Sequence, residues 1–222
     1  IRALVPEAAV PRSFYVNHVV GCPIHGHGQS GGLAAWRHDP FNDPWHVVCA
    51  TGGETYPSND FGAYYRSSME DRSLLTGPHA DDGFGWKSED SPYRHWFIAY
   101  CSEHLLITTV SGAETLAQAY LLTGDARYAH KALVILDRIA EVYPDMDYAV
   151  QGSYGMEFSP GYDGRIENQI HEGGTVRSLC KALDVVRDAI PSDPTFGPSS
   201  DSMRAKLEQG IIAPCLEGIY GG

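Results

Sequence analysis

The sequence predicts a mainly α-helical fold in which helical hairpins follow an irregular, loop-rich N-terminal segment. Residues 1–91 are rich in Gly, Pro and aromatic residues, and no helical or strand period persists through them. From Pro92 onward apolar residues recur at helical spacing, and a turn at Gly124–Asp125 separates two such patterns, as in an antiparallel helical hairpin. Hairpins joined by long loops suit an incomplete (α/α) toroid, so we expect 1–91 and 92–222 to be two parts of one structural domain.

The individual elements follow from the periodicity and from the residues that end it. In the N-terminal segment two short apolar runs are candidate strands, at residues 16–20 and 46–49. Gly124 is a candidate helix C-cap, Asp125 opens the next helix and Pro144 ends it. The hairpin pattern also occurs in tetratricopeptide repeats, but it does not recur about 34 residues later, which disfavours a repeat scaffold. The predicted helices span residues 93–109, 113–123, 125–143, 175–189 and 202–216, the last broken by Pro214.

Composition limits the classes of partner. Of the 222 residues 43% are hydrophobic and 20% are charged, so the chain can bury a substantial core. The formal net charge of −12 argues against a nucleic-acid or anionic-membrane partner, since such surfaces need clustered Lys and Arg. No apolar run approaches the length of a transmembrane helix, and five widely spaced cysteines are not a disulfide framework.

An aromatic segment runs from Trp36 to Tyr65, in which Trp, Tyr and Phe alternate with Asn, Asp and His. Sugar rings stack on aromatic faces while their hydroxyl groups bind carboxylates and amides, so this composition indicates a carbohydrate-binding surface. The alternative is an ordered loop whose side chains brace the domain. Trp86, in an acidic loop without the ligand alternation of an EF-hand, is a further sugar platform. The substrate-binding candidates here are Asn59, Asp60, Tyr64, Tyr65 and Trp86.

Cys22, His25 and Cys49 are candidate metal ligands. A Cys-x-x-His pair followed by a second Cys is similar to part of a zinc knuckle, and His27 or His46 would complete it because position 52 is glycine. A structural zinc ion is therefore the one cofactor that we consider, and the chemistry below requires none. The alternative is a Cys22–Cys49 disulfide in an oxidising compartment.

A polar stretch at residues 165–172 precedes the fourth predicted helix. If this turn is already helical, Asn168, His171 and Glu172 share one face and offer an amide, an imidazole and a carboxylate to a ligand. Alternatively, Asn168 and Glu172 cap the helix and His171 packs. Tyr220, next to glycines, is a second candidate for exposure to a cleft, with a frayed chain end as the alternative.

Six short motifs are distributed along the chain: Cys22 to Gly26 (Cys-Pro-x-His-Gly), Pro44 to Cys49 (Pro-Trp-x-Val-x-Cys), Tyr56 to Phe61 (Tyr-Pro-Ser-Asn-Asp-Phe), Asp71 to Leu75, Asp81 to Trp86 and Gly164 to Glu172. Together they resemble the N-terminal part of the heparinase II/III-like group of polysaccharide lyases. The resemblance implies an (α/α) toroid and a periplasmic or secreted enzyme acting on acidic polysaccharides. Relatives of this type are longer, so it also implies that a C-terminal portion of the protein is missing from this chain.

The resemblance also implies a chemistry. β-Elimination removes the C5 proton of a uronic acid and expels the 4-linked sugar. A group that binds the uronate carboxylate stabilises the enolate-like transition state, and a Tyr or His takes the C5 proton. An Asn or His neutraliser with a Tyr base is implied, which makes Asn168, His171 and Tyr220 catalytic candidates and Arg165 and Glu172 substrate-binding candidates. In relatives we expect Trp at the position of His171, and a neutraliser at the start of a later helix, beyond Gly222.

Three classes of function follow. The first is a lyase for uronic-acid-containing polysaccharides of the glycosaminoglycan or alginate type. The second is a toroid glycoside hydrolase, which needs two opposed carboxylates, for which Asp60, Glu167 and Glu172 are candidates. The third is a non-catalytic helical scaffold or carbohydrate-binding fragment. An unsaturated uronate product, which absorbs ultraviolet light, distinguishes the first class from the other two.

Overall fold

The computed structural model describes residues 4–27, 36–153 and 163–220. The fold is mainly helical with short strands, as the sequence predicts. The chain divides into two compact units. Among the described residues, a loop-rich unit contains residues 9–27, 36–105 and 148–153, and a helical unit contains residues 4–8, 106–147 and 163–220.

Short strands build small sheets in the loop-rich unit. β1 (Arg12–Ser13) pairs in parallel with β7 (Gly152–Ser153). β2 (Trp36–Asp39), β3 (Asp43–Cys49) and β4 (Thr55–Tyr56) form an antiparallel sheet. β5 (Trp86–Lys87) pairs with β6 (Arg94–His95), also antiparallel. The short helices of this unit are α1 (Phe61–Arg66) and α4 (Tyr148–Gln151).

The strand predicted at residues 46–49 is confirmed within β3, whereas the strand predicted at residues 16–20 is wrong. The Asn17 Oδ1 accepts the backbone N–H groups of Val19 and Val20, each at 2.8 Å. An Asn that binds its own backbone two and three residues on favours a turn over a strand ladder. The Asn17 Nδ2 also donates to the Arg94 carbonyl at 2.8 Å, which anchors this turn.

Helix α2 (Phe97–Thr123) is one continuous helix of 27 residues, where the sequence predicts two helices. The predicted break is wrong because the segment contains no proline, and Gly112 simply lies within the helix with open space at its Cβ position. The helix begins at Phe97 instead of Tyr93 because Arg94 and His95 form β6. Residues 97–105 belong to the loop-rich unit and the remainder to the helical unit.

Helix α3 (Ala126–Val142) agrees with its prediction at both ends. Gly124 adopts a left-handed conformation with φ of 69°, and Asp125 caps the helix by accepting the Arg127 N–H at 2.9 Å. Pro144 lies in the 3₁₀ turn Tyr143–Asp145 that ends the helix. The predicted inward face is buried and comprises Ala129, Ala132, Leu133, Leu136, Ile139, Ala140 and Tyr143.

The later helices exist as predicted but differ at their ends. α5 (Gln169–Val186) begins before the predicted Thr175 because Asn168 caps it, and a 3₁₀ segment, Arg187–Ser192, follows it. α6 (Ser200–Leu207) continues through a π-helical segment, Glu208–Ile212, into α7 (Ala213–Tyr220). Pro214 therefore does not break the pattern; it lies in the first turn of α7, where proline is tolerated.

The core of the helical unit is formed by apolar side chains of α2, α3, α5 and α6. Fully buried Leu133, Leu136, Leu179 and Val186 are among its members. Within the described ranges no helix, α2 included, is long and apolar enough to cross a membrane.

Candidate functional site

Asn59, in the loop-rich unit, is held by a second loop. It is 1% exposed; its Nδ2 donates to the Asp81 carbonyl at 3.2 Å, and its Oδ1 accepts the Asp81 N–H at 2.8 Å. The Asp81 carboxylate is itself buried and accepts the N–H groups of Gly83, Gly85 and Ile98. This geometry is that of a loop brace, and a sugar would reach Asn59 only if its pairing with Asp81 opened.

Asp60 and Tyr65 retain exposed surface beside this brace. Asp60 is exposed and caps α1. The half-buried Tyr65 ring lies 5.5 Å from the ring of Trp45 and 6.3 Å from that of Phe61. Tyr64 is buried, with its ring 5.9 Å from Phe61. Asp60 and Tyr65 can therefore present a carboxylate and a ring face to a ligand, whereas Tyr64 packs in the interior near Phe61.

Trp86 is half-buried between the rings of two histidines. Its ring lies 4.6 Å from His79 and 5.6 Å from His95. Burial lowers the pKa of His79 and lowers the pKa of His95 to about 4, so both imidazoles are neutral at neutral pH. Trp86 thus remains a partly exposed apolar platform of the kind on which a sugar ring stacks.

His38, Tyr100 and His104 form a cluster that the sequence analysis missed. The Tyr100 and His104 rings lie 4.0 Å apart, and the His38 ring is 6.0 Å from His104. Burial lowers the pKa of His38 and that of His104, the latter to about 4, and raises the pKa of Tyr100 to about 12. The His38 Nε2 binds the Pro44 carbonyl at 3.1 Å, while its buried Nδ1 has no partner among the described residues. Burial thus favours the uncharged form of all three side chains, which opposes proton transfer between them.

Two turns of the loop-rich unit bring Cys22, His25, Cys49 and Glu54 together. One ligand atom from each, namely the two Sγ atoms, a ring nitrogen and a carboxylate oxygen, lies within 4.8 Å of the other three. The His25 Nδ1 is 3.8 Å from the Cys22 Sγ, 3.7 Å from the Cys49 Sγ and 3.3 Å from the Glu54 Oε2. The structure therefore groups the three residues predicted as ligands and adds Glu54, which the sequence analysis missed.

Neither histidine predicted as the fourth ligand joins this cluster. The His27 ring binds the Val19 carbonyl at 2.5 Å, and the His46 Nδ1 binds the Asp43 carboxylate at 2.6 Å. That part of the prediction is wrong because β3 and its turn direct position 54, not position 46, towards the two thiols.

Asn168, in the helical unit, is the N-cap of α5. Its Oδ1 accepts the Ile170 N–H at 3.1 Å, and the residue is 1% exposed. Its Nδ2 is buried and has no hydrogen-bond partner within the described part of the chain. A buried donor without an acceptor costs about 1–3 kcal/mol, a cost that an acceptor atom of a ligand would relieve.

Glu172 folds back over the start of α5. Its Oε1 accepts the Tyr143 hydroxyl at 2.8 Å, and its Oε2 accepts the Glu167 N–H at 2.8 Å. Burial raises the pKa of Glu172 and outweighs the hydrogen bonds that lower it. Burial and the nearby Glu172 also raise the pKa of Tyr143. The oxygens of Asn168 and Glu172 therefore act as helix caps, the alternative that the sequence left open.

Residues 165–168 are not helical, so the condition for a shared face of Asn168, His171 and Glu172 is not met. Arg165 donates to the Pro144 carbonyl at 2.6 Å, and its guanidinium lies 5.6 Å from the centre of the Tyr143 ring. It therefore ties this stretch to the turn after α3. His171 is half-buried in the first turn of α5, and the side chain of Tyr220 lies outside the described residues.

A cavity of about 700 Å³ opens elsewhere in the helical unit, among residues of α5, α6, α7 and their connections. Its lining is apolar around Leu183, Ile190 and Leu207, with Arg187 and Arg204 among the charged residues. None of the residues predicted to bind substrate lines it, so this cavity does not locate the site.

The predicted residues thus fall into two groups, one in each unit. The metal candidates, residues 59–65 and Trp86 belong to the loop-rich unit, and residues 165–172 belong to the helical unit. Comparison of the chain with family models, with curated proteins and with solved structures finds no match. The functional interpretation therefore rests on the sequence motifs and on the local geometry described above.

Proposed function

We propose that this protein is a polysaccharide lyase that uses an (α/α) toroid to cleave uronic-acid-containing polysaccharides, of the glycosaminoglycan or alginate type, by β-elimination. The observation that carries this proposal is the Asn168 amide: its oxygen is fixed by the helix that it caps, and its buried N–H₂ group lacks an acceptor among the described residues. The motifs that resemble the heparinase II/III-like group give the proposal its family.

The Asn168 amide suits the neutralisation of a uronate once the residues that cover it move, because Asn168 is as deeply buried as Asn59. Its donor lies at the N-terminus of an 18-residue helix, where the helix dipole stabilises an anion by about 0.3–1 kcal/mol. Hydrogen bonding to the C6 carboxylate withdraws charge and makes the C5 proton easier to remove. A donor that binds the charge developing in the transition state contributes about 10²–10³ in kcat.

The two carboxylates near Asn168 are held in internal hydrogen bonds. Glu172 accepts a hydroxyl and a backbone N–H group, and Glu167 accepts a second hydroxyl. Arg165 contributes a positive charge to the same stretch. These donors and the guanidinium reduce the repulsion that the two carboxylates exert on a uronate.

Tyr143 is unsuited to be the base of such a lyase. It is 1% exposed, and its hydroxyl donates a hydrogen bond to Glu172. Burial, together with the negative charge of Glu172, raises the pKa of Tyr143. A phenol of raised pKa binds its proton more firmly, which opposes the formation of a basic phenolate. Tyr220 therefore remains our candidate for proton transfer, with His171 assigned to the substrate contact.

A glycoside hydrolase is favoured less by this geometry. The two acidic candidates of the helical unit, Glu167 and Glu172, are both used in internal hydrogen bonds, and neither is free to protonate a leaving oxygen without losing one. A carbohydrate-binding role without catalysis is favoured by one observation, the partly exposed rings of Tyr65 and Trp86.

The test uses the full-length protein and a panel of alginate, hyaluronan, chondroitin sulfate, heparan sulfate and polygalacturonate. Lyase action yields an unsaturated uronate that absorbs ultraviolet light, whereas hydrolysis yields reducing ends without this absorbance. Absence of the absorbing product with every polymer would overturn the lyase proposal. Binding without any cleavage would support the carbohydrate-binding alternative.

The role of Asn168 is tested by Asn168→Asp. Asp and Asn are equally good N-caps, so this variant keeps the cap and removes the N–H donor. We expect kcat, measured on the folded protein, to fall by about 10²–10³-fold. The free energy of unfolding should also fall, because the variant buries a carboxylate beside Glu167 and Glu172. The control is Gln169→Ala, which alters the exposed next residue. Unchanged turnover in Asn168→Asp would remove Asn168 from the mechanism.

A further inference from the structure

Two tight turns in the loop-rich unit each supply one thiol and one further ligand. In the first, the backbone of Cys22 exchanges hydrogen bonds with Gly26 at 2.8 and 2.9 Å, which directs the Cys22 and His25 side chains to one side. In the second, between β3 and β4, the Cys49 N–H donates to the Glu54 carbonyl at 2.8 Å, and the Gly53 N–H donates to the Cys49 carbonyl at 2.9 Å. The four ligand atoms meet between the two turns.

The three separations that involve the His25 nitrogen match edges of a zinc tetrahedron, and the remaining ligand atoms lie within 4.8 Å of one another. Bonds of about 2.3 Å to sulfur and about 2.0–2.1 Å to nitrogen and oxygen, at tetrahedral angles, place S and N about 3.6 Å apart and N and O about 3.4 Å apart. The observed S–N separations at His25 are 3.8 and 3.7 Å, and its separation from the Glu54 oxygen is 3.3 Å. A central ion would therefore reach these atoms with little movement.

Backbone donors also face both sulfur atoms. The N–H groups of Ile24 and His25 bind the Cys22 sulfur, and those of Thr51 and Gly52 bind the Cys49 sulfur. Donors of this kind orient the ligands of a metal site.

Two further observations point to an ion in this cluster. The Glu54 Oε2 is buried and has no hydrogen-bond partner in the described residues, although it faces the His25 nitrogen. A Cβ at position 52 would collide with the His25 ring and both Glu54 carboxylate oxygens, so a larger residue there would displace these two flexible side chains from the cluster. The glycine thus leaves room for Glu54 beside the thiols, and an ion would give its Oε2 a ligand bond in addition to its contact with the His25 nitrogen.

We propose that Cys22, His25, Cys49 and Glu54 bind one structural zinc ion. Two thiolates, an imidazole and a carboxylate select a borderline-soft ion over magnesium or calcium. Four protein ligands close the coordination sphere, so the ion holds the fold together and performs no chemistry.

The ion would fasten the Cys22 turn to the β3–β4 turn immediately before the Tyr-Pro-Ser-Asn-Asp-Phe motif. The first residue of that motif, Tyr56, lies with its hydroxyl 3.7 Å from the Cys22 Sγ. The site therefore supports the segment that positions Asp60 and Tyr65, and it stands whether or not the protein is a lyase.

The first experiment measures bound metal in the intact protein, purified under reducing conditions without added metal. We expect about one zinc per chain by elemental analysis, and on replacement by cobalt(II) an absorption spectrum with thiolate charge-transfer bands and tetrahedral d–d bands. No zinc after purification, and none taken up from excess zinc, would overturn the proposal. A Cys22–Cys49 disulfide in protein purified without reductant, two hydrogen masses lighter, and no uptake of zinc after its reduction would also overturn it.

Variants then assign the ligands. Cys49→Ser should lose the bound zinc, and Glu54→Gln, which keeps the shape of the side chain, should weaken zinc binding roughly tenfold or more in competition with a chelator. The matched controls are Cys180→Ser, a half-buried cysteine of the other unit, and His27→Ala, whose ring lies outside the cluster. Zinc content and affinity unchanged in both ligand variants, or lost equally in the controls, would contradict the assignment.

Discussion

Asp81 offers the sharpest test of the physical account of the loop-rich unit. Its carboxylate accepts three backbone N–H groups, those of Gly83 and Gly85 at 2.8 Å and that of Ile98 at 3.1 Å, and the last of these caps α2 from a distant loop. Full burial nevertheless outweighs these donors and, with the nearby charge of Asp82 adding to it, raises the pKa of Asp81 to about 6. We therefore propose Asp81→Asn, which removes the titration and keeps the shape.

The expected size of the effect follows from linkage. The carboxyl titrates near 3.8 in the unfolded chain and near 6 in the folded one, so between these pH values the folded state binds more protons. The free energy of unfolding of the wild type should then fall as pH rises through this window. The total loss is about 3 kcal/mol, because each pKa unit corresponds to about 1.4 kcal/mol. Asn does not titrate, so relative to the wild type the variant should gain about 3 kcal/mol between about pH 4 and pH 7.

The assay is urea unfolding at constant ionic strength over this pH range, followed by tryptophan fluorescence. All four tryptophans, Trp36, Trp45, Trp86 and Trp96, belong to the loop-rich unit and report on it directly. The control, Asp90→Asn, removes an exposed carboxylate of the same unit and measures the effect of the general change in charge. Parallel curves for wild type and Asp81→Asn, or a relative loss for the variant as pH rises, would refute the reasoning, since the amide donors would then outweigh burial.

Three further predictions concern helix glycines, a helix cap and the metal. Gly124→Ala should destabilise the protein by about 1 kcal/mol because φ is positive at this position, whereas Gly112→Ala, in open space within α2, should stabilise it by about 0.5–1 kcal/mol. Urea unfolding followed by circular dichroism measures both, and changes of the same sign in the two variants would contradict the difference in backbone conformation. Asp125→Ala should cost about 1 kcal/mol in the same assay through loss of the α3 cap, and no cost would mean that the cap is redundant. Removal of the metal by a chelator should lower the midpoint temperature of thermal unfolding, followed by tryptophan fluorescence, because a metal that binds the folded chain stabilises it. An unchanged midpoint after verified metal removal would contradict a structural role.

The helical part of the fold follows largely from local sequence. The α3 boundaries were predictable because Gly124, Asp125 and Pro144 act within a few residues of themselves, and its buried face was predictable from spacing alone. The start of α2 was not, because β6 takes residues that carry a helical pattern. The pairing of β1 with β7 joins positions far apart in the chain and has no local signal.

The candidate sites divide in the same way. Cys22, His25 and Cys49 are recognisable by residue type and spacing, but Glu54 becomes a ligand candidate only through the turn after β3. His38 meets Tyr100 and His104 across more than sixty positions of sequence, so only the i, i+4 spacing of the latter two was visible beforehand. The buried, unpaired Nδ2 of Asn168 is likewise a property of packing, whereas its capping oxygen was a foreseeable alternative.

By itself, the order of residues determined where α3 begins and ends, which face it buries and where the later helices lie approximately. It also determined which residue types are available for sugar and metal contacts, because capping, periodicity and ligand chemistry act over a few positions. Tertiary structure alone decided which of those residues meet, that Glu54 completes the thiol–imidazole cluster and that Asn59 braces Asp81. Contacts between distant segments depend on how whole loops close upon one another, and desolvation, which shifts the pKa of Asp81 and isolates the Asn168 amide, exists only once the chain is packed.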